Sequence, residues 1–259
     1  MNILFSNKPD WEDDIRAGFE STSHTIAFGD FTADNVREHD MLVALTVSDL
    51  RRLHELGDAR GDKPIPIPSL DSIALCDDKL AFNRALVTNG FAECIPKMGL
   101  FLAYPYILKK RVDEWGANSC IIRTAAEVAA HADKLVDPDY FRQEYISGKT
   151  EYTAHILFSQ GRIVCSTTVI FEFEHEIFIK GRDADCGRAV CECQHLELFG
   201  RILTSIRFEG LCCFNYKVLN GQPLIFEVNP RFGASLGLLY ASFIENMELA
   251  ETLLVETAN

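Results

Sequence analysis

Residues 224–232 read LIFEVNPRF, an apolar segment that carries a carboxylate, an amide and a guanidinium at alternate positions. These residues are Glu227, Asn229 and Arg231, and strand alternation places all three on one face. The Asn-Gly pair at 220–221 predicts a hairpin turn, which brings Asn215 of the preceding strand roughly opposite Glu227. Such a face is either solvated or holds a charged ligand.

The chemistry of this polar face suits a hard divalent cation. Carboxylate and amide oxygens are ligands that Mg²⁺ accepts, and Mg²⁺ in proteins usually keeps substrate phosphates in its coordination shell. A surface hairpin with a merely solvated face is the alternative that the spacing leaves open. Features elsewhere in the chain decide between the two.

Composition restricts the class of protein. The chain has 259 residues, 47% of them hydrophobic and 24% charged, which is typical of a globular protein with one large or two compact domains. A net charge of −13 argues against a nucleic-acid partner and against an anionic membrane surface. There is no basic leader and no apolar run of about 20 residues, so we expect a cytoplasmic protein with its nine cysteines reduced.

The first third of the chain alternates strand-like and helix-like segments, which predicts a small α/β unit with a parallel sheet. The Pro-rich segment at 63–69 is the best candidate boundary. Later segments predict an α+β arrangement. Helices are expected near 77–91, 124–136 and 193–208, the second with a capping-box spacing from Thr124 to Glu127, and antiparallel strands near 104–110, 140–148, 151–174 and 211–230.

Four segments, in order, resemble the ATP-grasp superfamily of the carboxylate–amine ligase type. They are Asp78-Lys79 at a helix start, Lys109 at a strand end, QEYISGKTEYT at 143–153, and FEVNPRFGAS at 226–235. The resemblance covers about residues 71–240. It implies an ATP-grasp fold with a small N-terminal α/β domain at 1–70 and an ATP-grasp domain at 71–259, whose two α+β lobes, about 71–138 and 139–259, sandwich ATP.

The resemblance also implies roles for the residues that would hold the nucleotide. Lys79 and Lys109 are similar in position to the two lysines that reach the phosphates. The main chain of Glu144 and Ile146 would pair with the adenine edge, and Glu151 would bind the ribose hydroxyls. Lys79 as a plain helix-surface residue and Glu151 as a solvent-facing glutamate are the alternatives, and Lys110 reads as a solvated lysine.

For the metal, the resemblance assigns Glu227 and Asn229 as ligands of Mg²⁺, or of Mn²⁺ in its place, and Arg231 as the arginine that holds the transferred phosphate. Asn215 stands at the remaining ligand position, where many family members carry Asp or Glu. An amide oxygen can still be a ligand, but one less negative charge weakens a second metal site.

Two loops carry further candidates. Residues 111–120 stand where the family has a glycine-rich phosphate lid, although this segment is bulky and charged. Residues 177–190 contain Lys180, Arg182 and Arg188, and we assign Arg188, with Arg182, to a substrate carboxylate or acyl phosphate, with ordinary surface charge as the alternative.

Three cysteines and a histidine stand close together downstream, at Cys186, Cys191, Cys193 and His195. Their C-x₄-C-x-C-x-H spacing fits no strong zinc pattern, so incidental thiols are the favoured interpretation over a zinc site.

The resemblance implies an ATP-dependent, ADP-forming ligase that joins a small-molecule carboxylate to an amine through an acyl phosphate, with an amino acid or small peptide as substrate. A small-molecule kinase on the same fold and a non-catalytic nucleotide-binding protein are the alternatives. The sequence is compatible with a homodimer as well as a monomer.

Overall fold

The computed structural model describes residues 1–114 and 116–258, with side chains described as far as residue 249. Among these residues there are eleven strands: β1 (Asn2–Phe5), β2 (Thr25–Phe28), β3 (Met41–Val43), β4 (Tyr106–Lys110), β5 (Cys120–Ile122), β6 (Tyr140–Glu144), β7 (Thr150–Ser159), β8 (Arg162–Glu172), β9 (Gly187–Cys191), β10 (Gly210–Leu219) and β11 (Gln222–Asn229). The same residues form eight α-helices: α1 (Pro9–Phe19), α2 (Ala33–Glu38), α3 (Val47–Leu56), α4 (Leu70–Asp77), α5 (Lys79–Thr88), α6 (Ala132–Val136), α7 (Leu196–Ser205) and α8 (Tyr240–Ala258).

The N-terminal unit is the predicted parallel sheet, with strand order β2-β1-β3. Its helices begin where the sequence provides a start signal. Pro9 opens α1, and α3 begins with a capping box in which Thr46 and Asp49 satisfy each other's backbone N–H groups. The Pro-rich segment that follows has no regular structure of its own and leads into α4.

A five-stranded antiparallel sheet of order β11-β10-β7-β8-β9 forms the centre of the molecule. Its two predicted hairpins are confirmed. The turn residues Gln160, Gly161, Asn220 and Gly221 all have positive φ, which is the pattern of a type I′ turn. Asn215 pairs with Glu227, close to the predicted arrangement, but a register shift between Asn215 and Tyr216 produces this pair, since the turn alone would place Asn215 opposite Phe226.

The strands that follow α4 and α5 in the sequence form a smaller antiparallel sheet of order β5-β4-β6. The start of α5 is fixed by Asp78, whose Oδ1 accepts hydrogen bonds from the backbone N–H groups of Leu80 and Ala81, both at 3.0 Å. This cap places Lys79 at the first helical position, on the side that faces the large sheet.

The prediction of one continuous helix over residues 124–136 is wrong. The chain there forms two 3₁₀ turns, Ala125–Glu127 and Ala129–His131, followed by the five-residue α6. Thr124 makes no side-chain cap, and the Glu127 carboxylate accepts from the backbone N–H of Arg123 at 2.9 Å. None of these elements buries a residue, so no packing stabilises a longer helix.

Two large apolar clusters hold the sheets together. One joins the N-terminal sheet and α8 to the face of the large sheet that also carries Asn215, through residues such as Phe5, Phe232 and Tyr240. The other packs α5 and α7 against the large sheet through Phe82, Phe199 and others. Neither β9 nor α8 was predicted. In the described part of the chain, no helix combines the length and hydrophobicity needed to cross a membrane.

Candidate active site

Two adjoining cavities lie along the face of the large sheet that carries Asn215 and Glu227. The narrower cavity reaches towards β4 and β6 and is lined by Lys79, Lys109 and Ile146 among others. The wider cavity extends towards α1 and the loop before β9. Glu151, Lys180, Asn215 and Glu227 line both cavities, so the polar face of the hairpin lies at their junction.

Glu227 is the centre of this junction. Its Oε2 lies 3.3 Å from Nζ of Lys79, and its Oε1 accepts from Nδ2 of Asn215 at 2.8 Å and from Nδ2 of Asn229 at 3.3 Å. Burial acts to raise the pKa of Glu227, but Lys79, Lys109 and the two amides outweigh it and hold the pKa at about 2. The carboxylate is therefore charged at neutral pH, and the face is not a merely solvated one.

The two lysines predicted to reach phosphates come from different elements and line the same cavity, and Lys79 is paired with this carboxylate. Lys79 starts α5 and is 8% exposed, so it is not a plain surface residue, and its ammonium also donates to the carbonyl of Asp113. Lys109 on β4 is equally buried and donates to Oε1 of Gln143 at 3.3 Å. Burial lowers the pKa of Lys109 to about 8, opposed by the nearby Glu227.

The segment predicted to contact adenine forms one wall of the narrower cavity. Glu144 ends β6, and Ile146 follows it with a buried side chain. The carbonyl of Ile146 accepts a hydrogen bond from Nζ of Lys217 at 2.9 Å. Glu151 is 7% exposed rather than solvent-facing, and burial raises its pKa, partly offset by Lys180.

The predicted arginines line the wider cavity. Arg231 is 8% exposed, donates to Oε1 of Glu114 at 3.2 Å and stacks over the Trp11 ring at 5.4 Å. Arg188 on β9 makes a bidentate ion pair with Asp185, at 2.9 and 2.8 Å. Arg182 donates to the carbonyl of Ser119 at 2.8 Å, which ties the loop before β9 to residues 116–119.

Most of the predicted lid, residues 111–120, lies within the described residues. Gly116 lines both cavities with φ of +61°, and a Cβ there would meet Cγ2 of Ile179 at 2.6 Å, so this position requires glycine. Trp115, which belongs to the same predicted lid, lies outside the described residues.

Two further lysines lie in the site: Lys180, which the sequence placed only among the cations of the loop at 177–190, and Lys217, to which it gave no role. Lys180 lies 3.5 Å from Oε1 of Glu151 and donates to Oδ1 of Asn215 at 3.0 Å. Lys217 is 3% exposed, donates to the carbonyls of Ile146 and Gly148, and lies over the Phe178 ring at 4.1 Å. Strand alternation offers a signal for Lys217, because it is two residues from Asn215 on β10 and shares its face. The contacts of Lys180 have no comparable local signal.

Cys186, Cys191, Cys193 and His195 do not belong to the described lining of either cavity. These residues make separate contacts, such as Cys193 Sγ with the Tyr216 hydroxyl at 3.9 Å and Cys186 Sγ with the Glu172 carbonyl at 3.3 Å. Among the side chains that the structure describes, over residues 1–114 and 116–249, no three from His, Cys, Asp or Glu are grouped so as to hold a metal ion, and nine cysteines have free thiols. The zinc interpretation of Cys186, Cys191, Cys193 and His195 therefore has no support in the structure.

Comparison with solved structures identifies the architecture. The chain is similar to D-alanine–D-alanine ligase from Bacillus anthracis, with a TM-score of 0.60, 13% identity, and coverage of 97% of this chain and 98% of that one. It is also similar to L-amino acid ligase from Bacillus licheniformis (TM-score 0.60, 15% identity, 92% and 69% covered) and to phosphoribosylamine–glycine ligase from Thermotoga maritima (0.63, 15%, 92% and 71%). No protein-family model and no curated protein matches the sequence.

These likenesses, together with the hairpin that carries Asn215 and Glu227, define the class of fold. The chain has the ATP-grasp fold, as the sequence resemblance implies. At identities of 12–15% the comparisons establish the fold, and the activity has to be argued from the side chains of the site itself.

Proposed function

We propose that the chain is an ATP-dependent, ADP-forming carboxylate–amine ligase that acts on an amino acid or small peptide. The observation that carries this proposal is the buried ion pair of Lys79 with the Glu227 carboxylate at the junction of the two cavities, with the buried Lys109 lining the narrower cavity beside it. Buried ammonium groups beside an ionised carboxylate are suited to a triphosphate that brings a divalent cation with it. One of the similar structures, the Bacillus anthracis ligase, was solved with ATP bound.

The narrower cavity is the proposed nucleotide site. Its wall at Glu144 and Ile146 offers main-chain groups to the adenine edge, and Glu151 stands near the junction, where it can accept hydrogen bonds from the ribose hydroxyls. Lys79 and Lys109 would then lie beside the phosphates. The triphosphate would end at the junction, facing the wider cavity.

The residues at the junction fit one magnesium ion. Glu227 is ionised, and Asn229 stands two residues further along the same strand face, so both can present an oxygen to the ion. Magnesium held there would neutralise charge on the nucleotide phosphates. Arg231, buried beside the same strand end, would hold the transferred phosphoryl group by charge-assisted hydrogen bonds.

The wider cavity is the proposed site of the second substrate. It carries both signs of charge, with Arg182, Arg188 and Arg231 on one hand and Asp10, Asp14 and Asp185 on the other. This mixture suits a zwitterion, whose carboxylate pairs with a guanidinium and whose ammonium pairs with a carboxylate. An amino-acid carboxylate bound there would attack the γ-phosphorus to give an acyl phosphate, and an amine would displace phosphate from it.

The experiment that tests this proposal measures ADP and phosphate release by the purified protein with Mg²⁺ATP. Pools of amino acids and small carboxylic acids are added with and without amines. We expect release that needs both an acid and an amine, and a loss of about 100-fold or more in Glu227→Ala, because the triphosphate loses its metal-binding carboxylate. Glu174→Gln, at a side chain that is 83% exposed, is the control and should keep full activity.

Other outcomes point to other functions on the same fold. ADP release with a phosphorylated product, and without free phosphate or a coupled amine, would identify a kinase. Nucleotide binding without turnover in any pool would identify a binding protein. Absence of nucleotide binding would contradict the proposal altogether.

A further inference from the structure

A cysteine and a lysine face each other at the end of the predicted lid. Nζ of Lys134, in α6, lies 3.2 Å from Sγ of Cys120, the first residue of β5, and donates a hydrogen bond to it. Neither side chain belongs to the described lining of the two cavities. The pair therefore lies outside the machinery of the proposed ligase reaction.

Two further contacts hold the lysine against the sulfur. Its ammonium donates to the carbonyl of Asn118 at 3.1 Å and lies 5.2 Å from the centre of the Tyr140 ring, whose face attracts a cation. These contacts come from the chain before β5 and from the start of β6, on different sides of the amine. A nitrogen and a sulfur, both of them nucleophilic atoms, are thus held in contact before any reaction takes place.

The environment of Cys120 differs from that of the other accessible thiols. Five of the nine cysteines are buried, and the four that are not are Cys120, Cys186, Cys191 and Cys193. Of these four, in the part of the chain that the structure describes, Cys120 is the one with a lysine amine in hydrogen-bonding contact. Cys186 is more exposed, but its sulfur contacts only the carbonyl of Glu172, at 3.3 Å.

This difference decides which thiol an oxidant should reach productively. Attack of a thiolate on a peroxide releases hydroxide, and a cation beside the sulfur stabilises the negative charge that develops on the departing oxygen. Exposure alone would favour oxidation of Cys186. The ammonium of Lys134 favours oxidation of Cys120 instead, and it also places an amine where it can react with the oxidised sulfur.

We propose that Cys120 and Lys134 form a modification site for hydroperoxides, at which oxidation joins the two side chains by a sulfur–nitrogen bond. The Cys120 thiolate attacks one peroxide oxygen, the O–O bond breaks, and the departing hydroxide takes a proton from the Lys134 ammonium to become water. The neutral amine then attacks the sulfenic sulfur, whose hydroxyl leaves with a proton from the nitrogen as a second water. One thiol, one amine and one hydrogen peroxide thus give one S–N bond and two waters, with sulfur oxidised by two electrons. This inference does not depend on the nucleotide site.

The test treats the full chain with hydrogen peroxide, blocks the remaining thiols with iodoacetamide and digests the protein with trypsin without reductant. A cross-linked Lys134 resists trypsin, so we expect peptide 112–123, which contains Cys120, to be joined to peptide 124–142, which contains Lys134. The joined mass should equal the sum of the two peptides less two hydrogens, and dithiothreitol should separate them. Oxidised Cys120 with normal cleavage after Lys134, or oxidation of Cys186 with Cys120 untouched, would overturn the inference.

Two variants separate the cross-link from ordinary oxidation of a thiol. Lys134→Arg keeps a positive charge beside the sulfur but has no amine to form the bond, so Cys120 should still be oxidised and no joined peptide should appear. Lys134→Met also removes the charge, and oxidation of Cys120 should become about tenfold slower. Cys186 is the internal control, and its rate should be the same in all three proteins. An unchanged rate at Cys120 in Lys134→Met would contradict the inference.

Discussion

Replacing Glu227 by glutamine should destabilise the free protein by about 3 kcal/mol at neutral pH. Glutamine keeps the size of the side chain and mimics the protonated acid, so it removes the ion pair with Lys79, 3.3 Å away, without opening a cavity. A pKa lowered from 4.5 to about 2 corresponds to about 3 kcal/mol of preference for the charged form. This outweighs the cost of burial, because the carboxylate compensates two buried ammonium groups, Lys79 and Lys109.

The assay is thermal unfolding of the nucleotide-free protein, followed by circular dichroism. For a chain of this size, about 3 kcal/mol should lower Tm by roughly 6–12 °C. The matched control is Glu174→Gln at an exposed site, which should move Tm by no more than about 2 °C.

The sharper test is the pH dependence of the difference in stability between the unaltered protein and Glu227→Gln. Since the folded-state pKa is lowered, the contribution of Glu227 is fully present above pH 4.5 and is lost as the pH falls from 4.5 towards 2. Less than half of it should remain at about pH 3. A variant as stable as the unaltered protein at pH 7, or a difference that persists unchanged to pH 3, would refute the reasoning.

Three further predictions concern the lysines and a glycine. ATP binding should weaken as the pH rises above about 8, because the pKa of Lys109 is about 8 and its neutral form no longer attracts phosphate, whereas Lys109→Arg should give a flatter profile of Kd. Lys217→Met should raise the Kd for ATP about tenfold by calorimetry, because the carbonyls of Ile146 and Gly148 lose their charged donor; an unchanged Kd would count against this wall as the adenine site. Gly210→Ala should cost roughly 1–3 kcal/mol more in urea unfolding than Gly221→Ala, since both have positive φ but only the first would bring a Cβ to 2.5 Å from the Pro66 carbonyl.

The fold could be predicted from sequence where the signals were local and agreed with each other. The Asn220-Gly221 turn sets the pairing of Leu219 with Gln222, and the structure keeps that register as far as Tyr216 and Ile225; the one-residue shift that then brings Asn215 opposite Glu227 has no local signal. The Thr124 segment shows the limit. Its capping-box spacing is a local signal too, but an exposed segment with no buried face has nothing to convert the signal into a stable helix.

The site could be predicted less completely, because much of it depends on contacts between distant segments. The alternation of Glu227 and Asn229 was visible along one strand. The contact of Lys180 with Asn215 joins residues 35 positions apart through a loop that has no periodic pattern, and only the folded chain brings them together. Strand alternation could have predicted that Lys217 lines the site, since it shares the strand face of Asn215.

The most direct test of the proposed ligase uses amino acids whose carboxylate oxygens are labelled with ¹⁸O. The protein is incubated with Mg²⁺ATP, the labelled pool and an amine, and the released phosphate is analysed by mass spectrometry. Attack of a carboxylate on the γ-phosphorus, followed by displacement at the acyl carbon, transfers one labelled oxygen to phosphate, and this is the result we predict. Phosphate released without the label would mean that water is the acceptor, and it would contradict the acyl-phosphate ligase.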